Sequence, residues 1–479
     1  MTSHPSSVER ASAPGRIAPG PRGHLLLGML PEIGAGVLDF LERMTRTYGD
    51  ITRYRLVHLR AHLLNHPDYI RQVLQENQRN YTKDLFDYNM LRWIVGNGLV
   101  TSEGSFWLRQ RRLAQPAFHR QRIAGFGAQM TAAAGGLLER WDALPEGQSV
   151  DVLDAMMRVT LRVVGEALFG TDVSHQAAQV SSAFTTLTHS MMARFQEFGL
   201  IPPVLPIRRD REFRAARAQL DRVVFQIIEE RRRSGEDRGD LLSLLMQARD
   251  EETGEQMNDR QLRDEVATLL LAGHETTANT LAWAFHLLGA NPQVEARLHA
   301  ELDAALGGRL PTMADLPQLP YTRMVIDETM RLYPAVPSLS RRVVAEDVIG
   351  GYRIPANSAV IICPYTMHRH PAFWPAPERF DPERFSPERS AERPRFAYFP
   401  FSGGPRQCIG NSFALTESQI ILAAVAQHYR LRPVPGRRVE PDVALTLRPR
   451  GGLPMLLERR RPTCVASAGV VAYAQADEQ

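Results

Sequence analysis

The run Phe401-Ser-Gly-Gly-Pro-Arg-Gln-Cys-Ile-Gly410 narrows what this chain can become more than any other stretch. A thiol serves a metal only as thiolate, so the peptide around Cys408 must stabilise negative charge. Gly403, Gly404 and Gly410 let the backbone bend tightly and turn N–H groups toward one sulfur. Beyond it, Phe413, Ile420, Ile421 and Ala424 recur at helical spacing. That spacing puts the sulfur at a helix N-terminus, where the macrodipole favours an anion. Arg406 adds a cation two residues away. A lone cysteine is ordinarily a small buried hydrophobe. The five fixed positions of F-x-x-G-x-R-x-C-x-G reverse that reading and make Cys408 a candidate metal ligand.

The other two cysteines, Cys363 and Cys464, do not make a disulfide framework in 479 residues, which suits a reducing cytoplasm. A net charge of +4 gives no electrostatic case for a nucleic acid partner. Lys83 is the only lysine; every other cation among the 57 Lys and Arg residues is arginine, the codon signature of a GC-rich, bacterial genome. No window supplies the roughly 20 apolar residues of a membrane span, and the start carries no secretory signal. A soluble cytoplasmic protein is expected.

Residues 1–18 and the small-residue tail 460–479 read as disordered, flanking one domain over 19–459. Within it, 50–75 alternate like short strands and 105–300 follow a helical period. Ile201-Pro-Pro-Val-Leu-Pro206 breaks two helices, residues 340–362 return to strand, and 371–400 meander through seven prolines. The fold class is mainly α with small β-sheets.

Ala272-Gly-His-Glu-Thr-Thr277 lies inside a long helical stretch from about Asp259 to Leu288. Gly273 and Thr276 share a face there. A glycine lets a small ligand approach the backbone, and a threonine hydroxyl can bond the carbonyl one turn earlier, which can locally widen a helix. Taken alone, this is equally a Gly/Thr kink in a buried helix. Glu328-Thr-Met-Arg331 is an i,i+3 ion pair, a common and weak feature on surfaces. Leu332-Tyr-Pro334 ends its helix, and Pro382-Glu-Arg-Phe385 follows later.

Together these motifs resemble the cytochrome P450 family, over about Pro19 to Arg459. The resemblance implies a triangular, mostly α prism holding haem b, with Cys408 as iron ligand in a loop that includes Phe401, Gly404, Arg406 and Gly410. It makes (A/G)-G-x-(D/E)-T the oxygen-activating helix, with Gly273 against the haem and Glu275 and Thr276 as the acid and alcohol that deliver protons. It makes Glu328, Arg331 and Arg384 a charge network under the haem. It gives the haem propionates Trp107 and Arg111, from W-x-x-x-R, and Arg342; strand alternation alone does not choose between Arg342 and Arg341. His368-Arg-His-Pro371 departs from the family, which more often has Asp at its third position.

The activity implied is insertion of one atom of O2 into a C–H bond or alkene of a lipophilic small molecule, such as a fatty acid or terpene. Thiolate ligation favours O–O cleavage. Electrons would come from a separate ferredoxin or flavodoxin with its reductase, steered by Arg109, Arg111, Arg112, Arg120, Arg122 and Arg406. The substrate pocket would draw on Phe86, Tyr88, Leu91, Phe195, Leu269 and Val336. The alternatives are a haem-thiolate isomerase or dehydratase, or a non-catalytic haem protein; the last would need neither Glu275 nor Thr276.

Overall fold

The computed structural model describes residues 15–171, 173, 176–197, 208–249, 254 and 256–460. Its site is positioned by a few helices and one sheet. The helices are α1 (Phe86–Val95), α2 (Gly104–Ala114), α3 (Val152–Phe169), α4 (Asp259–Ala290), α5 (Pro320–Leu332) and α6 (Asn411–His428). The central helix α4 starts at a capping box: the Asn258 side chain accepts from Gln261 N, and the Gln261 side chain accepts from Asn258 N. Two orphan N–H groups are thereby satisfied at the start of a 32-residue helix. Most of α4 is buried, as its apolar run from Leu262 to Leu288 requires. It packs on α3, where the Thr160 hydroxyl donates to His274 O at 3.0 Å.

The main sheet has five strands: β1 (Ile51–Leu56), β2 (Leu59–Leu64), β3 (Tyr81–Thr82), β4 (Leu339–Val343) and β5 (Ala359–Ile362), in spatial order β1-β2-β5-β4-β3. Only β2 and β5 run parallel, with Leu63 beside Ile361; the remaining pairs are antiparallel. The pairing of Thr82 with Arg342 brings Lys83 beside β4. The mainly α, single-domain architecture with small sheets matches the expectation.

Arg16, inside the segment expected to be disordered, exchanges backbone hydrogen bonds with Gly351 and Arg353. Helix α4 runs unbroken through Gly273, without local widening. The Ile201–Pro206 break and the tail beyond Arg460 lie outside the described residues.

Candidate functional site

The Cys408 loop is closed by its own backbone, Cys408 N donating to Phe401 O at 3.0 Å. Gly404 has φ +66°, and a Cβ there would sit 1.8 Å from Leu74 O, so only glycine lets the loop press on that carbonyl. Gly403 lies against the Phe396 ring for the same steric reason. Gly410 differs. Its φ is −90°, and an added Cβ would meet nothing closer than Phe118 at 3.7 Å. The protein itself does not demand glycine there; a flat group beside the sulfur would.

Gly410 also precedes α6, and its N–H favours negative charge on the Cys408 sulfur. Burial pushes the thiol pKa up, while the Gly410 N–H and the Arg111 guanidinium pull it down. Arg111 donates to Gln407 O at 2.9 Å. The cation acting on the sulfur is therefore Arg111 and not Arg406. Arg406 turns the other way, stacking 3.7 Å over the Trp107 ring, donating to Ser102 O and pairing with Glu103 at 2.6 Å.

Arg406 belongs to a cationic cluster that only the folded chain assembles. Lys83 is buried, its ammonium donating to Val100 O at 2.7 Å and lying 5.4 Å from the Tyr88 ring. Its pKa is held well below the ordinary lysine value, first by burial and then by Arg341 and Arg406. Arg341 is buried and donates to the Tyr88 hydroxyl at 3.0 Å. Arg342, the residue favoured from the family spacing, faces the opposite side of β4 and pairs with Asp84 and Asn357. Arg341 is the inward one. Tyr88 is accordingly part of this polar cluster and not an apolar pocket wall.

On α4 the Thr276 hydroxyl donates to Ala272 O at 2.8 Å. Ala272 is exposed although its neighbours on the helix are mostly buried, and Thr276 is half-buried on the same side. Gly273 faces elsewhere: a Cβ there would meet Val164 of α3 at 3.0 Å, so its smallness serves helix packing. The residue beside Thr276 is Ala272, and its i,i+4 spacing was the available signal. Glu275 is buried; Thr446 donates to its Oε1 at 2.6 Å, and its Oε2 has no partner.

Glu328, Arg331 and Arg384 do assemble, and the pair is far from the weak surface bridge its spacing suggests. Arg331 Nε and Nη2 reach Glu328 at 2.6 and 2.9 Å, with 0% of either side chain exposed. Arg384 adds a contact at 3.4 Å, and Asp381 N donates to the same carboxylate at 2.8 Å. His370, where the family favours Asp, meets Asp50 at 3.0 Å. Of the expected pocket residues, Leu91 and Leu269 are buried, Phe86 and Val336 are half-buried, and the Phe195 side chain lies outside the described residues.

The loop 96–102 is fastened to α4 beside these residues. Asn97 N donates to Asp264 at 2.8 Å and Leu99 N to Glu265 Oε2 at 3.0 Å, while Gly96 and Gly98 leave no room for a Cβ against Asp264 and Thr268. Burial raises the Glu265 pKa to about 8 from the ordinary 4.5. Between those values the unfolded chain releases a proton that the folded chain keeps, so stability falls as pH rises through this window and is flat above it. Glu265→Gln keeps the acceptor for Leu99 and removes the titration. Its unfolding free energy should match the wild type near pH 4 and exceed it above pH 8, by on the order of a few kcal/mol at most, and its Tm should follow. Parallel Tm-against-pH curves would contradict this.

Among the described residues no three His, Cys, Asp or Glu side chains converge as a metal site. The surroundings fit haem: one sulfur supported by an N–H and a guanidinium, bare Gly410 beside it, and a buried surplus of cations suited to two propionates. A cytochrome P450 family model matches residues 18–453. The chain belongs to the cytochrome P450 family.

Family members carry haem and act as oxygen-incorporating oxidoreductases. The chain is 40% identical over 437 residues to Cyclooctat-9-en-7-ol 5-monooxygenase of Streptomyces melanosporofaciens, covering 91% of this chain and 94% of that one. It is 34% identical over 428 residues to Pentalenene oxygenase of Streptomyces avermitilis, covering 89% and 93%. The solved structure of the cytochrome P450DA heme domain superposes with a TM-score of 0.84 at 29% identity, covering 94% of this chain and 99% of the other. No described helix of this P450 is long and apolar enough to cross a membrane.

Proposed function

We propose that this protein is a haem-dependent monooxygenase that hydroxylates a terpene, fed by a separate ferredoxin or flavodoxin in the cytoplasm. Cys408 would ligate the iron, with the Gly410 N–H and Arg111 holding negative charge on the sulfur. Lys83, Arg341, Arg406 and the Trp107 indole would receive the propionates. When bound, haem with a thiolate ligand supplies reductive cleavage of O2 and oxygen insertion. The chain's own part is placement and proton handling. Thr276 keeps its hydroxyl hydrogen on Ala272 O, leaving its lone pairs to accept from a water. Glu275, one residue earlier, stores a proton-accepting oxygen that no protein group uses.

That unpartnered buried carboxylate oxygen next to an accessible threonine is the observation that carries the reading. A non-catalytic haem carrier has no use for it. The terpene class rests on the names of the two relatives and on the apolar Phe86, Leu91, Leu269 and Val336. Thr276→Ala is the test. Product formed per electron should fall about tenfold or more, with hydrogen peroxide rising to match. Unchanged product yield per electron would refute the proton-delivery role.

A further inference from the structure

Among the described residues, the three most exposed large hydrophobic side chains lie in one short stretch: Ile17 at 68%, Leu25 at 85% and Leu26 at 71%. Single exposed leucines need no explanation. These differ because the turn is held rigid. His24 and Gly28 exchange backbone hydrogen bonds, Met29 N donates to Arg55 O, and Val57 N donates to Leu27 O. The Arg55 guanidinium then donates to the carbonyls of His24, Leu25, Leu26 and Val57. A guanidinium spread over four carbonyls fixes a turn whose two tip side chains touch little else.

The charge around this tip is one-sided. Residues 15–31 and 51–67 contain no Asp or Glu, yet carry Arg16, Arg22, Arg53, Arg55 and Arg60. Arg22, Arg53 and Arg60 are exposed. In the β1–β2 register Arg55 lies directly opposite Arg60, and Arg53 opposite His62. Like charges placed opposite each other destabilise a strand pair. Arg53 and Arg60 also help burial to depress the His62 pKa, to about 4. The nearest carboxylates in sequence do not pair with these arginines: Glu32 Oε2 is buried without a hydrogen-bond partner, and Asp50 is engaged by His370.

We infer that this edge docks on an anionic lipid surface, with Leu25 and Leu26 entering the interface and Arg22, Arg53 and Arg60 facing the headgroups. Apolar tips flanked by unneutralised arginine suit such a surface. A second copy of the chain suits it less, because a two-fold contact would set these arginines against their equivalents. The inference does not depend on the substrate or on the haem chemistry.

The test is flotation of the full-length, haem-loaded protein with vesicles of phosphatidylcholine, with and without phosphatidylglycerol. Binding is expected only with phosphatidylglycerol and should weaken as salt is raised. Leu25→Ser with Leu26→Ser should lower partitioning about tenfold, and Arg53→Gln with Arg60→Gln by a similar factor. These side chains lie in solvent, so an unchanged visible spectrum will show that each variant is folded. Absence of wild-type flotation, or leucine variants that float as well as wild type, would overturn the inference. So would a concentration-dependent dimer that the leucine changes abolish.

Discussion

Cys408→His should eliminate the carbon monoxide spectrum characteristic of thiolate ligation and lower oxygen insertion by about a thousandfold or more. The loop around position 408 is arranged for an anion: a backbone N–H from Gly410 and a guanidinium from Arg111. A neutral imidazole gains nothing from either, and it donates far less electron density across the iron. The backbone should tolerate the change, because the loop is set by Gly404 against Leu74 and by the Cys408 N to Phe401 O bond, neither of which involves the sulfur. Retention of the thiolate-type spectrum would mean that another residue binds the metal.

Glu328→Ala should sharply lower both the thermal stability and the haem content of the protein. Breaking a fully buried ion pair from one side costs roughly 3–5 kcal/mol, against a total stability of about 5–15 kcal/mol. The two sides of the pair are not equivalent. Burial already raises the Glu328 pKa, so after Arg331→Ala the carboxylate can take up a proton and still lies beside Arg384. After Glu328→Ala, two guanidiniums that cannot deprotonate are left facing each other without solvent. Glu328→Ala should therefore be the more damaging change. Thermal unfolding and haem content of the purified variants measure this, and equal losses would contradict the account.

The long buried helix, the strand pairs near residues 51–64 and the ligand loop were legible because each follows a local rule of period, turn or capping. The facing of individual charges was not. Arg341 and Arg342 are adjacent on a strand with charge on both sides, so alternation says that they diverge without saying which turns inward. The exchange of roles between Arg111 and Arg406 depends on a non-periodic loop whose direction no spacing rule encodes. Gly273 is ambiguous in the sequence because a small residue can serve a ligand or a neighbouring helix, and only the approach of Val164 distinguishes them. The uniqueness of Lys83 is visible in the sequence, but its place is not: a chain that uses arginine everywhere else keeps an ammonium at one position, where the fold buries it.

That single buried ammonium has a practical corollary. No side-chain amine remains on the outside, so acylating reagents and lysine-directed modification have no surface side chain to reach. The outer positive charge is carried by guanidinium and cannot be titrated away under mildly alkaline conditions. Immobilisation, crosslinking or dye attachment through side chains will have to use carboxylates or thiols.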